Sequence, residues 1–310
     1  MTRVVVALGG NALLRRGEPL DAAIQRANVK VAAEALAELA REHEIIVTHG
    51  NGPQVGLLAL QNEAYKEVAG YPLDVLDAES EGMVGYLLEQ ELGNHIPRER
   101  LATLLTQVLV DEDDLAFANP TKFVGPVYEG RDARFIAHER GWAVAPDGPV
   151  HWRRVVASPL PRAIIEIDTI RLLVDHGVTV ICAGGGGIPV VADDATGLRG
   201  VEAVIDKDLS AELLATQLDA DALLLLTDVD AVYADWGTDH QRPIRATTAA
   251  ELRALALPAG SMGPKVEAIC GFVENGGRLG AIGALPDASR ILNGEAGTTV
   301  SATKEDSSWQ

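Results

Sequence analysis

The spacing of its short, largely apolar runs most constrains how this 310-residue chain can fold. Val4–Leu8, Glu44–Thr48, Leu104–Val110, Val178–Ala183, Ala222–Thr227 and Leu279–Ile282 are separated by longer stretches with helical periodicity. Several of these runs are apolar throughout and not alternately, as strands buried on both faces require. Strands of that kind joined through helices form a parallel sheet covered on both sides. The spacing predicts helices over Asp21–His43, with Ile24, Val31, Ala35 and Leu39 on one stripe, and over Pro53–Lys66, opened by a first-turn proline. It predicts four more over Glu79–Leu92, Ile164–His176, Lys207–Leu218 and Lys265–Glu274, the first two stopped by Gly93 and Gly177. The segment from Asp111 to Pro161 breaks this rhythm. It holds six of the fifteen prolines and two of the four tryptophans, with frequent turn signals. It reads as a hairpin-rich, lid-like subdomain (111–161) inserted in one domain spanning 1–310, since structureless loops of that length are uncommon.

Charge removes several functions. The formal net charge is −19, which opposes nucleic acid at long range and gives no basic face to a membrane. Hydrophobic residues at 47% and charged ones at 23% describe a folded chain and not a disordered one. The apolar run after Arg3 breaks at Gly9-Gly10-Asn11, too early for a signal-peptide core. The uncharged stretch Gly177–Ala192 is glycine-rich and shorter than the ~20 residues of a membrane helix. Cys182 and Cys270 lack CxxC spacing and read as buried thiols in a reducing compartment, so a cytoplasmic location is expected. The histidines form no zinc pattern.

Four expected strands run into glycine or small polar turns: Gly9-Gly10-Asn11, Gly50-Asn51-Gly52-Pro53, Gly184-Gly185-Gly186-Gly187 and Thr227-Asp228-Val229-Asp230. Ligands of open α/β sheets bind at the carboxyl ends of the strands, so these turns are expected to share one rim. Glycine there brings backbone N–H groups close to an anion, and a following helix N-terminus adds positive potential. Neither GxGxxG nor GxxxxGK[ST] fits: Val55 stands where the third glycine of the first motif belongs.

The lysines sharpen the reading. Only six of 26 basic residues are lysine, and an ammonium is not interchangeable with a guanidinium. Lys207 lies in Asp206-Lys207-Asp208 at an expected helix start, where Asp208 could direct its ammonium. Lys265 begins another helix, where the dipole disfavours a cation unless an anion is near. Lys122 stands at the edge of the insertion. Three lysines aimed at glycine-lined anion sites suit phosphoryl transfer, which is mainly positioning and charge neutralisation. Asp228 and Asp230 could orient a lysine, bind ribose or hold Mg²⁺ through water.

Taken together, Ala7–Leu13, Thr48–Gly56, Pro120-Thr121-Lys122, Gly184–Pro189, Val204–Asp208, Thr227–Asp230 and Gly260–Ala268 resemble the carbamate kinases of the amino-acid kinase family, over essentially the whole chain. The resemblance implies a three-layer α/β/α sandwich around a mainly parallel sheet of about eight strands, with a small protruding subdomain, working as a homodimer. It implies the reaction carbamoyl phosphate + ADP ⇌ carbamate + ATP, in arginine fermentation, with Mg²⁺ entering on the nucleotide and no direct protein ligand. By motif, Gly9, Gly10, Asn11, Gly50, Asn51, Gly52, Gly184 and Gly185 fall on the carbamoyl and phosphate side. Lys122, Lys207, Asp208 and Lys265 take the catalytic roles, and Asp228, Val229, Tyr233, Met262 and Gly263 line the nucleotide pocket. The insertion departs slightly from the family pattern at Phe123 and Ala157. The alternatives are a related kinase acting on a different carboxylate or phosphate acceptor (acetylglutamate, glutamate or a nucleoside monophosphate), with Arg153 or Arg154 as the pocket cation a larger carboxylate would need, and a non-catalytic nucleotide-binding regulator. Retention of all four catalytic-type residues opposes the second.

Overall fold

The computed structural model describes the chain except residues 16, 66, 68, 69, 194, 196, 256–261 and 304–310, and except the side chains of Asn11 and Pro126. Lys66, Lys304 and the Gly260-Ser261 part of the Lys265 motif therefore lie outside the described residues.

Eight strands build the central sheet: β1 (Thr2–Leu8), β2 (His43–His49), β3 (Leu101–Thr103), β4 (Thr179–Ile181), β5 (Ala222–Thr227), β6 (Ala246–Thr248), β7 (Leu279–Ala284) and β8 (Thr298–Ser301). Their order is β6-β8-β7-β5-β1-β2-β4-β3. The six strands from β7 to β3 are mutually parallel, while β8 runs antiparallel to β7 and parallel to β6.

Continuous apolar strands split their side chains between two cores. Val5 and Ala7 of β1, with Leu223 and Leu225 of β5, enter one cluster together with Ala211, Leu214, Ile269 and Phe272. Val4, Val6 and Leu8, with Leu224 and Leu226, enter the other, with Ala33, Leu36, Val84 and Leu88. The first face is covered by α4 (Ile167–Asp175), α5 (Lys207–Gln217) and α6 (Met262–Glu274), and the second by α1 (Ala22–Ala40), α3 (Leu73–Leu92) and α7 (Ala288–Leu292). This is a three-layer α/β/α arrangement. A further helix, α2 (Gly52–Ala64), leaves the tip of β2.

Several expectations are corrected by the structure. The buried stripe of α1 is Val29, Ala32, Ala33, Leu36 and Leu39, while Val31 is exposed. Asp21 caps that helix, accepting from the amides of Ala23 and Ile24. The α3 helix starts at Leu73, six residues before the expected start, and Gly93 closes it in a right-handed conformation. Gly177, with φ +75°, does take the left-handed terminal role. The run Leu104–Val110 is not one strand. β3 ends at Thr103, and Gln107–Val110 joins a second sheet with Ile188–Asp193, Gly197–Gly200 and Pro161–Ile164. The chain switches sheets because buried Thr106 is tied to the turn after β4: its hydroxyl accepts from the Ala183 amide and its carbonyl from the Ile188 amide.

Within 111–161, Lys122–Glu129, His151–Val156 and Val144–Pro146 form a three-stranded antiparallel sheet. A helix, Gly130–Arg140, lies between its first two strands in sequence and ends at left-handed Gly141. Turn signals alone did not point to that helix. The sheet rests on α2, where a Cβ on Gly56 would come within 3.3 Å of Gly125 Cα. Its last strand leads to Ala157, which bridges Ala203 just ahead of α5.

Candidate active site

Because β1, β2, β4 and β5 are parallel, their carboxyl ends open on one rim. The first two turns touch each other there. The Gly9 amide donates to Leu226 O at 2.7 Å and the Gly50 amide to Leu8 O at 3.0 Å. A Cβ on Gly50 would meet the Gly10 nitrogen at 3.1 Å and Lys207 Cδ at 3.4 Å, so the lysine stem lies directly over this contact. Gly52 begins α2, and a Cβ there would meet no protein atom within 4 Å. Packing gives no reason for glycine at that helix N-terminus. The open space leaves room for an anion to approach the first-turn amides.

The charged cluster sits at the start of α5. Asp206 caps the helix, its Oδ1 accepting the Asp208 amide at 2.9 Å. Asp208 is 3% exposed and holds two ammoniums, Lys207 on Oδ1 and Lys265 on Oδ2, the second at 3.0 Å. Lys265 reaches it from the first turn of α6. Lys122, from the first residue of the inserted sheet, closes on Asp206 Oδ2 at 2.7 Å. Three cations thus share two carboxylates, leaving one net positive charge. Burial pushes Asp208 up, but the two ammoniums more than reverse this and hold it below the usual carboxylate range. Burial pulls Lys207 down, opposed by Asp208 and reinforced by Lys265. His49, fully buried beside them, is lowered to about 4, chiefly by burial and further by Lys207, so its ring is neutral. With the Gly50 carbonyl accepting from Nδ1 at 3.2 Å, Nε2 keeps a lone pair.

Other expected residues divide into two groups. Asp228 and Asp230 follow β5 at the rim and are exposed, and the Tyr233 hydroxyl donates to Asp230 at 2.9 Å. Tyr233 meets Trp236 edge to face, while Met262 and Gly263 open the helix that carries Lys265. Val229 stands between the two aspartates, half-buried. Asn51, Gly184 and Gly185 lie deeper. Asn51 donates through Nδ2 to Ser80 Oγ at 2.7 Å and to Asp77 Oδ1 at 3.2 Å, which commits that amide nitrogen to α3. Its amide also occupies the space a Cβ on Gly185 would need, 2.1 Å away. The Gly184 amide is taken by Glu81. The glycines at 184–187 therefore answer to packing and to three consecutive positive φ values, at Gly185, Gly186 and Gly187. The Asn11 side chain lies outside what the structure describes.

Sequence reasoning missed Asp77, Ser80, Glu81 and Thr106, all buried behind these turns. Burial pushes Glu81 up to about 8 and Asp77 well above the usual range. A signal existed: both carboxyls fall on the same α3 face as buried Leu73, Leu76, Val84 and Leu88, where an acid is rarely placed unless it is bonded. Arg153 and Arg154, considered for a larger substrate, are both engaged, Arg153 inside the insertion and Arg154 in part across to Glu202 ahead of α5. Arg153 pairs with Asp147 and stacks on Phe123; Arg154 pairs with Glu202 and lies 4.2 Å from the Trp142 ring.

Comparison with known proteins agrees with this geometry. The amino acid kinase family model matches residues 2–282. A carbamate kinase of Rhizobium meliloti is 56% identical over 99% of this chain and 95% of its own length. One from Haemophilus influenzae is 51% identical over 99% of both. The solved carbamate kinase of Giardia lamblia bound to AMP-PNP superposes with a TM-score of 0.89 at 40% identity, covering 96% of this chain and 98% of that one. An N-acetylglutamate synthase of Neisseria gonorrhoeae, 16% identical with a TM-score of 0.60 over 97% of this chain and 62% of that one, shares the fold alone. With two cores, one glycine-lined rim and matches that run nearly end to end, this chain belongs to the amino acid kinase family, among the carbamate kinases.

Proposed function

We propose that this chain catalyses reversible phosphoryl transfer, carbamoyl phosphate + ADP ⇌ carbamate + ATP. The observation that carries the reading is the cluster of Lys122, Lys207 and Lys265 on Asp206 and Asp208, set against the touching turns of β1 and β2. Carbamate is already an anion, so its attack on a phosphoryl group requires no general base, and none is built into the cluster. What the site must supply is positive charge between two anions that repel one another, in fixed geometry. Lys207 and Lys265 supply it at the transferring phosphoryl group. Asp208 aims both ammoniums and receives no proton. Lys122 adds a third cation from the inserted subdomain, which acts as a lid over the site.

Gly9, Gly10, Asn11, Gly50 and Gly52 form the carbamoyl phosphate side, with Asn51, Gly184 and Gly185 holding it from behind. Asp228, Val229, Tyr233, Met262 and Gly263 form the nucleotide side. Asp228 and Asp230, exposed at the same rim, are the carboxylates that would hold, through water, a Mg²⁺ brought by ADP or ATP, which would screen the phosphates. The chain works as a cytoplasmic homodimer, in arginine fermentation. No helix of the described residues is long and apolar enough to cross a membrane.

The test is a coupled assay of ATP formation from carbamoyl phosphate, ADP and Mg²⁺, with acetylglutamyl phosphate as comparison. Turnover is expected with the first phosphate and not the second. The reverse preference, or no turnover with carbamoyl phosphate, would overturn the assignment.

A further inference from the structure

The turn 183–187 has a carboxyl on one side and the helix bearing the charged cluster on the other. On the first side is Glu81 of α3, 1% exposed, with one oxygen accepting the Gly184 amide at 2.8 Å and the other the Thr106 amide at 3.2 Å. On the second side, Ser210 of α5 donates through its hydroxyl to Gly186 O at 2.7 Å. A Cβ on Gly186 would come within 2.6 Å of Ile205 O, on the segment leading to Asp206. Between these contacts, Asn51 lies flat against Gly185. The turn is thus wedged between Asn51 of the Gly50–Gly52 loop and the helix start that carries Lys207 and Asp208.

We propose that Glu81 is a positioning residue for phosphoryl transfer: by clamping the Gly184–Gly187 wedge to Thr106, it fixes the Gly50–Gly52 loop relative to the Lys207–Asp208 helix start. This rests on the function proposed above, and Glu81 touches neither substrate nor reacting atoms. Both oxygens are committed to backbone amides of two different segments, which a lone core acid would not need. The titratable groups around it, Asp77 on its own helix, Glu166 ahead of α4, His49 at the end of β2 and Cys182 after β4, supply no cation to pair with it. Its partners are the Gly184 and Thr106 amides together with the Thr106 side chain.

The experiment is a double-mutant cycle on the full chain with Glu81→Gln and Ser210→Ala. The assays are run at pH 9, where Glu81, pushed up to about 8 by burial, is ionised and both its oxygens accept; glutamine there keeps one acceptor oxygen but turns an N–H toward a backbone N–H, so one clamp bond is lost while volume is kept. Turnover of ATP formation is expected to fall at least tenfold in Glu81→Gln. ADP affinity, measured by titration, is expected to change less than threefold, since the nucleotide side lies beyond β5. Because both residues act through one wedge, the double variant should lose less than the product of the two single losses. Hydrogen exchange at the 183–187 amides, which does not depend on any activity, should quicken at least tenfold in Glu81→Gln.

Turnover within twofold of the unaltered chain, or unchanged exchange at 183–187, overturns the clamp. Losses that multiply in the double variant overturn the shared wedge. If Glu81→Gln does not fold, Ser210→Ala decides by the same turnover and exchange readouts, loosening the wedge from its other side. Failure of the unaltered chain to turn over carbamoyl phosphate counts against the function alone, because the exchange measurement still judges the clamp.

Discussion

Asp208 is the smallest unit that explains the site, since one buried carboxylate fixes two ammoniums by one oxygen each. That geometry needs a compact cation on a flexible stem. A guanidinium at 207 is larger and planar and cannot sit over the Gly50–Gly10 contact in the same way. Lys207→Arg is therefore expected to lose at least 100-fold in kcat while ADP still binds, as coupled kinetics and calorimetric titration would show. Wild-type turnover would refute the role of a compact ammonium. Asp206→Asn removes the charge that holds Lys122 but keeps a side-chain oxygen for the helix cap, so the helix should persist by circular dichroism. With Lys122 no longer fixed, KM for carbamoyl phosphate is expected to rise several-fold with a smaller change in kcat. The lysines were legible in sequence because lysine is scarce in this chain. That Lys122 and Lys207 would sit on neighbouring carboxylates of one helix start was not, because Lys122 is 84 residues away from Asp206 and only the inserted sheet brings it back.

At the scale of elements, glycine carries two distinct messages that look alike in sequence. Gly52, facing open space at the start of α2, is expected to tolerate alanine in stability, with Tm within about 2 °C, since alanine favours a helix. Its turnover should nevertheless fall at least tenfold in the coupled assay, because the methyl stands where a phosphate would approach. Gly185→Ala should do the opposite first. Its φ of +71° and the 2.1 Å approach to Asn51 are expected to destabilise the fold by about 2 kcal/mol or more, read by urea unfolding. Periodicity located α1 but turned its buried face by one residue, because alanines at 32, 33 and 37 fill the interface as well as larger side chains elsewhere. The helix Gly130–Arg140 escaped notice for a related reason. Only Ala133 in it is buried, so it has almost no apolar face to read.

For the molecule as a whole, buried acids of opposite tendency shape stability against pH. Asp208 lies low in the folded chain, so its contribution is present above an unfolded value of about 4 and is lost as pH falls through its folded value. Glu81 lies high, at about 8, so the unfolded chain gives up its proton first. Stability should therefore decline as pH rises from about 4.5 toward 8 and level off beyond, by a few kcal/mol from this group. Urea midpoints across that range should flatten in Glu81→Gln; an unchanged slope would show that Glu81 is not held protonated. The two-core sheet was readable because apolar runs without alternation leave no other arrangement. The switch of the chain at Thr106 from one sheet to another was not, because it depends on hydrogen bonds to a turn 77 residues away. Three cations share two carboxylates at the start of α5. The cluster is an inner salt, its counter-ions already built in, so an arriving phosphate competes with Asp206 and Asp208 and not with water alone. Its binding is an exchange of ion partners, and because few mobile ions are released, the strength of that exchange should depend only weakly on bulk salt.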